Sequence, residues 1–123
     1  MSDIVVTVPL SFGLQAWIEE GDLPGDPWSG EEWHFYLGGP VPKITPGERV
    51  YVVYGGRLRG YAPLVRIDRL VPPLDRSARG YALVRHGGAE AVTIAERIVG
   101  FRGFRYRFWP REEEHPWPEW WQA

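Results

Sequence analysis

Residues 46–68 read PGERVYVVYGGRLRGYAPLVRID, and this stretch decides the fold class. Pro46-Gly47 is turn chemistry, because proline presets φ and glycine tolerates positive φ. Arg49 to Tyr54 is β-branched and aromatic, which suits a pleated, half-buried surface better than a helix. Gly55-Gly56 joins it to a second run of similar length, so the stretch predicts a β-hairpin. In the second strand a regular pleat puts Leu58, Gly60, Ala62 and Leu64 on one face, with Arg57, Arg59 and Tyr61 on the other. Pro63 cannot donate a ladder hydrogen bond, which predicts an edge position or a bulge there.

Working outward, residues 3–8 (DIVVTV) form a near-continuous apolar run, as expected of a strand covered on both faces. Ser11 is a candidate N-cap for a short helix in which Leu14, Trp17 and Ile18 form the apolar stripe and Gly21 the end. Residues 22–47 are rich in Gly, Pro, Asp and Ser, a long irregular segment of the kind that often carries function. Within it, residues 32–37 (EWHFYL) read as a short strand or a helical turn. Its aromatics, among them Trp28 and Trp33, either cap the open end of a small barrel or wall a base-stacking pocket. Pro72-Pro73 marks residues 71–80 as a loop. Residues 81–85 and 89–94 read as two strands joined at His86-Gly87-Gly88, a second hairpin signal. The last strand lies within residues 98–110, where Phe104, Tyr106 and Phe108 alternate with Arg105 and Arg107. In the tail, Trp117, Trp120 and Trp121 present too much apolar surface for water, which predicts docking onto the domain or a dimer contact.

Six or so strands, one short helix and no βαβ rhythm predict a mainly β, largely antiparallel barrel formed by residues 1–123 as one domain. The chain has 44% hydrophobic and 24% charged residues and no cysteine, which excludes disulfides and cysteine-based metal or nucleophile chemistry. With no long apolar run and no basic-then-apolar leader, the expectation is a cytoplasmic protein without membrane contact. Thirteen of the fourteen basic residues are Arg, which with 12 Pro leans towards a heat-adapted source.

The net charge of −2 conceals segregation. Residues 1–48 hold eight acids and one base, net −7; residues 49–111 hold thirteen Arg and four acids, net +9; residues 112–123 add four Glu. The Arg-rich middle either pairs with the acidic flanks or forms a basic surface for an anionic partner.

The hairpin also resembles a known group. Pro46-Gly47-Glu48, a hydrophobic strand ending in Tyr54, and Gly56-x-x-x-Gly60 leading into a second strand resemble the central hairpin of the PUA-like superfamily, with its PUA, EVE, YTH and ASCH domains. The resemblance implies a small PUA-like β-barrel and RNA or a modified nucleotide as ligand. Its EVE and YTH members hold a modified base in an aromatic pocket, for which Trp28, Trp33 and Tyr54 are the candidates by analogy. Some ASCH members are amidohydrolases using Lys, Thr and Glu. Here the Gly-Lys-x-x-Thr position reads Gly21-Asp22-Leu23-Pro24, and Lys43, Thr45 and Glu48 in the turn before the hairpin are the alternative set.

Other chemistry finds little footing. His34, His86 and His115 are far apart in the sequence and form no metal motif. No serine sits in Gly-x-Ser-x-Gly, and the glycines spell neither a P-loop nor GxGxxG. The reading is therefore a binding module with no catalytic residue, cofactor or metal. Arg57, Arg59, Arg85, Arg102, Arg105 and Arg107 are the nucleic-acid-binding candidates, because guanidinium pairs with phosphate and stacks on bases. A small amidohydrolase, or a homodimer formed through the Trp-rich tail, is the alternative.

Overall fold

The structure, a computed structural model, describes residues 2–8, 32–38, 41–69, 80–86, 90 and 92–116. It is mainly β. The strands are β1 (Ile4–Thr7), β2 (Glu32–Gly38), β3 (Arg49–Tyr54), β4 (Arg57–Arg69), β5 (Gly80–His86), β6 (Val92–Thr93), β7 (Phe104–Tyr106) and β8 (His115–Pro116). Six of them form one sheet in the order β2-β5-β4-β3-β1-β7, and β6 pairs with β8 in a small second sheet. The predicted helix and the tail tryptophans lie outside the described residues.

The β3–β4 hairpin turns at Gly55 and Gly56, whose φ angles are 62° and 77°. Two consecutive positive φ values are what a two-residue hairpin turn matched to strand twist requires, and glycine adopts them at no steric cost. Residues 32–37, open between strand and helical turn in the sequence, belong to a strand.

Two bulges shape β4. Val52 pairs with Gly60 but Val53 with Leu58, so Arg59 is an extra residue; further on, Leu64 pairs with Arg85 and Arg66 with Val84, which leaves Val65 extra. The first bulge corrects the regular-pleat expectation. Leu58 joins Val5, Tyr51, Val53, Ile94, Ile98 and Trp109 on one face, whereas Leu64 lies on the other with Ile4, Val6, Val50, Val52 and Leu83. One inserted residue exchanges the faces of everything beyond it.

Pro63 marks a change of partner. Strand β4 pairs with β3 up to Pro63 and with β5 from Leu64. Leu64 N–H donates to the Glu48 carbonyl and Tyr61 N–H to the Glu90 carbonyl on the opposite edge. Backbone alternation then puts the Pro63 nitrogen in the gap between the Glu90 bridge and the β5 ladder, where no donor is required.

The second hairpin expectation is also corrected. Strand β6 pairs with β8, and Glu90 bridges Tyr61. Strand β5 and Glu90 run in the same sense along one edge of β4, so the chain flanking 87–89 does not fold back on itself. The last strand is shorter than its alternation suggested: β7 ends at Tyr106, and Phe108 is 54% exposed.

Strand β1 lies between β3, to which it is parallel, and β7, to which it is antiparallel. Its residues feed both apolar clusters, Ile4 and Val6 on one face and Val5 on the other. That accounts for the unbroken run DIVVTV. Burial raises the Tyr81 phenol above its ordinary value, and the Tyr106 phenol adds to the effect.

Strands β2 and β5 approach closely where Gly38 faces Gly80. A Cβ on Gly80 would stand 2.1 Å from the Leu37 carbonyl oxygen. Gly80→Ala is therefore expected to push β2 away and cost about 2 kcal/mol, of the order of other overpacking changes. Urea denaturation of the variant measures it.

Candidate functional site

At the end of the sheet where β1 and β3 begin and β7 finishes, a polar network ties the C-terminal segment to one sheet face. Asp3, Arg49 and Arg107 meet there by register, since Ile4 pairs with Val50 and with Tyr106. Asp3, 5% exposed, accepts three hydrogen bonds. The Arg49 amide reaches Oδ1 at 2.9 Å; Arg107 Nε and Arg111 Nη2 reach Oδ2 at 3.2 and 2.7 Å. Burial alone would raise the Asp3 pKa, but the Arg49 amide and Arg111 outweigh it and hold the carboxyl below its ordinary value.

The second anchor is Glu114. Tyr51 Oη donates to Oε2 at 2.6 Å, Trp109 Nε1 to the same oxygen at 2.9 Å, and Arg49 Nη1 to Oε1 at 3.2 Å. Burial and the Glu114 bond raise the Tyr51 pKa well above its ordinary value, so the phenol remains a donor at neutral pH. The Arg49 guanidinium lies 4.0 Å from the Tyr61 ring centroid, and Tyr51 packs on both Tyr61 and Trp109. Arginine is suited to this place because one planar group both pairs with a carboxylate and stacks on a ring.

Beside this network is an open cleft of about 200 Å³, lined by Ser2, Asp3, Glu48, Tyr106, Arg107 and Arg111. Its floor is fixed by the turn before β3. Thr45 donates its N–H and hydroxyl to Glu48 Oε1, at 2.8 and 2.9 Å, and Glu48 N–H returns to the Thr45 carbonyl. These bonds give Thr45 and Glu48 a turn role. Lys43 N–H donates to the Tyr106 hydroxyl at 3.0 Å.

The six candidate arginines do not form one patch. Arg59 is 2% exposed; its Nε donates to the Tyr54 carbonyl at 3.0 Å, and burial lowers its pKa. Arg85 has no exposed surface, lies 5.6 Å from the Phe35 ring centroid, and is lowered by burial to about 9, still protonated at neutral pH. The bulge turns Arg59 inward, and the pleat puts Arg85 on the face that carries Leu83. Both depart from the expectation of a solvent-facing Arg row. Arg57 is half-buried and donates to the Ile94 carbonyl at 3.4 Å. Arg57, Arg59 and Tyr54 gather around the β3–β4 turn, at the opposite end of β3 from the cleft.

Arg102 and Arg105 are exposed, with Arg105 stacked 4.5 Å from the Phe101 ring centroid. Arg107 belongs to the Asp3 network and also donates to the Trp109 carbonyl. The Trp33 backbone pairs with Arg85, and Trp28 lies outside the described residues. Asp3, Arg49, Arg111 and Glu114, absent from the sequence-derived set, carry most of the organised polar contacts at this end.

Among the described residues, no cluster of His, Cys, Asp and Glu could hold a metal ion, and no helix is long and apolar enough to cross a membrane. Comparison with family models, curated proteins and solved structures finds no match to this chain.

Proposed function

We propose that the chain is a PUA-like β-barrel domain that binds RNA or a modified nucleotide. The two bulges of β4 support the barrel, since a bulge bends its strand and increases the local twist. The observation that carries the binding reading is the outer edge around β7. There Arg102, Arg105, Tyr106, Phe108 and Arg111 are all exposed, and Arg105 already rests on an aromatic ring. Cations interleaved with aromatics on an edge strand can track a phosphate backbone while offering surfaces for base stacking. Arg59 and Arg85 serve the fold in this reading, and the binding set contracts to the β7 edge.

The test is a fluorescence-anisotropy titration with short single-stranded RNA and with duplex DNA, at low and physiological salt. Affinity for RNA is expected to fall steeply with salt, and Arg105→Ala to reduce the log–log salt slope by about 0.7, the value for one phosphate contact on a single strand. Salt-independent binding, or none, would exclude the reading.

A further inference from the structure

The polar cleft beside Asp3 has features that a general backbone-binding edge does not need. Arg107 and Arg111 are both aimed by a single buried carboxylate oxygen, Asp3 Oδ2, which fixes two guanidiniums next to each other. Two cations so held repel one another, and the Asp3 charge offsets only part of that repulsion. Each guanidinium carries five N–H donors. The hydrogen bonds described use two from Arg107, to Asp3 and the Trp109 carbonyl, and one from Arg111. The rest are in surplus.

The acids lining the cleft also accept hydrogen bonds, although each keeps its negative charge and Glu48 is engaged through Oε1 alone. Asp3 takes three donors on its two oxygens, and Glu48 Oε1 takes two from Thr45. The Tyr106 hydroxyl accepts from the Lys43 amide, which leaves its own proton to donate. Ser2 adds a second hydroxyl to the lining. The hydrogen bond to Asp3 raises the Arg111 pKa further, so its charge is permanent.

The geometry points to a site for the terminal phosphate of a nucleotide, free or at the 5′ end of an RNA, held by Arg107 and Arg111 with the Tyr106 hydroxyl as a further donor. Paired guanidiniums match phosphate oxygens bidentately. A monoester offers more oxygens and more charge than an internal diester, so it answers the donor surplus better. The cleft holds about 200 Å³, room for a phosphate and the sugar bearing it, with the base left outside. The Tyr106 ring, 43% exposed at the rim, gives that base a face to lie against. The inference rests on the nucleotide-binding reading and narrows it to one end of the ligand.

The experiment is calorimetric titration of the whole chain with AMP, adenosine and inorganic phosphate, and with one short RNA bearing either a 5′-phosphate or a 5′-hydroxyl. AMP is expected to bind at least about tenfold tighter than adenosine, and the 5′-phosphorylated RNA to exceed its hydroxyl counterpart by a similar factor. Arg111→Gln should abolish both preferences. Tyr106→Phe, which removes only a hydroxyl, should reduce them severalfold, and this second variant decides the matter if the first fails to fold. Equal binding of AMP and adenosine, or phosphate preferences unchanged in folded Arg111→Gln, would overturn the site. RNA binding indifferent to the terminal phosphate would overturn it while leaving the backbone-binding proposal intact. Binding of AMP and phosphate without any affinity for RNA would support the cleft and remove RNA as the ligand.

Discussion

Glu114→Ala is expected to lower the stability of the fold by about 4 kcal/mol, a loss typical of breaking a buried ion pair. The Glu114 side chain is 6% exposed and serves three donors at once, from Tyr51, Trp109 and Arg49. Removing it strands a buried phenol, an indole N–H and a partly buried guanidinium, and each unsatisfied donor costs more than a hydrogen bond normally contributes. The loss should be local in origin. Glu114 sits between the 3-10 turn at Arg111–Glu113 and β8, so its removal releases the segment covering Val5, Tyr51 and Val53. Urea denaturation gives the magnitude, and hydrogen exchange should show β6 and β8 opening before β3 and β4. Glu112→Ala or Glu113→Ala, at exposed neighbours in the same acidic run, should change stability by less than about 0.5 kcal/mol. Comparable losses at all three positions would contradict this account.

Asp3→Asn is expected to cost about 3 kcal/mol at pH 7, with the cost shrinking on acidification. Asparagine can still accept the Arg49 amide, but it leaves Arg107 and Arg111 adjacent without an intervening negative charge. The pH dependence follows from the direction of the shift. The folded-state pKa of Asp3 lies below its ordinary value of 3.8, so its contribution is complete above that value and is lost as pH falls through the folded pKa. The wild type and the variant should therefore differ fully at pH 7 and at pH 5, begin to converge below about pH 3.8, and meet only once pH has fallen through the lower folded pKa. A difference that persisted into strong acid would mean that shape, not charge, is what the position supplies. Asp3 and Glu114 both touch Arg49, so the double variant should fall short of the sum of the single effects.

Much of the sheet was legible in the sequence because glycine, proline and β-branched residues constrain the backbone locally. The Gly55-Gly56 turn and the two-faced burial of β1 follow from what those residues permit, whereas Pro63, expected at an edge or a bulge, stands instead where β4 changes partner. The faces of β4 were misassigned because the bulge at Arg59 reverses every side chain beyond it; the adjoining Gly60, a lone glycine inside a strand, was the one local signal of it. The second hairpin signal, at His86-Gly87-Gly88, did not foretell the strand pairing, because β6 takes β8 as its partner and Glu90 bridges Tyr61. The organised polar end was the least legible part. Nothing separates Glu114 from Glu112 and Glu113 in the run REEE, and only the fold brings residue 114 beneath residues 49 and 51. Asp3 read as the start of a strand, since its partners lie more than a hundred residues further along.

The placement of β1 bears on biosynthesis. Its parallel partner β3 needs residue 53 for full register, and its other partner is complete only at residue 106. A nascent chain can form the local β3–β4 hairpin and lay β1 against it, but until residue 106 clears the ribosome tunnel β1 is an uncovered edge of Ile and Val. Closing so long a loop costs entropy that grows only slowly with length, whereas contacts so far apart in sequence slow folding considerably. For the whole of that interval the emerging chain offers the kind of unpaired apolar strand to which other chains adhere. The domain's dependence on chaperones should thus be greatest late in translation, just before β7 appears.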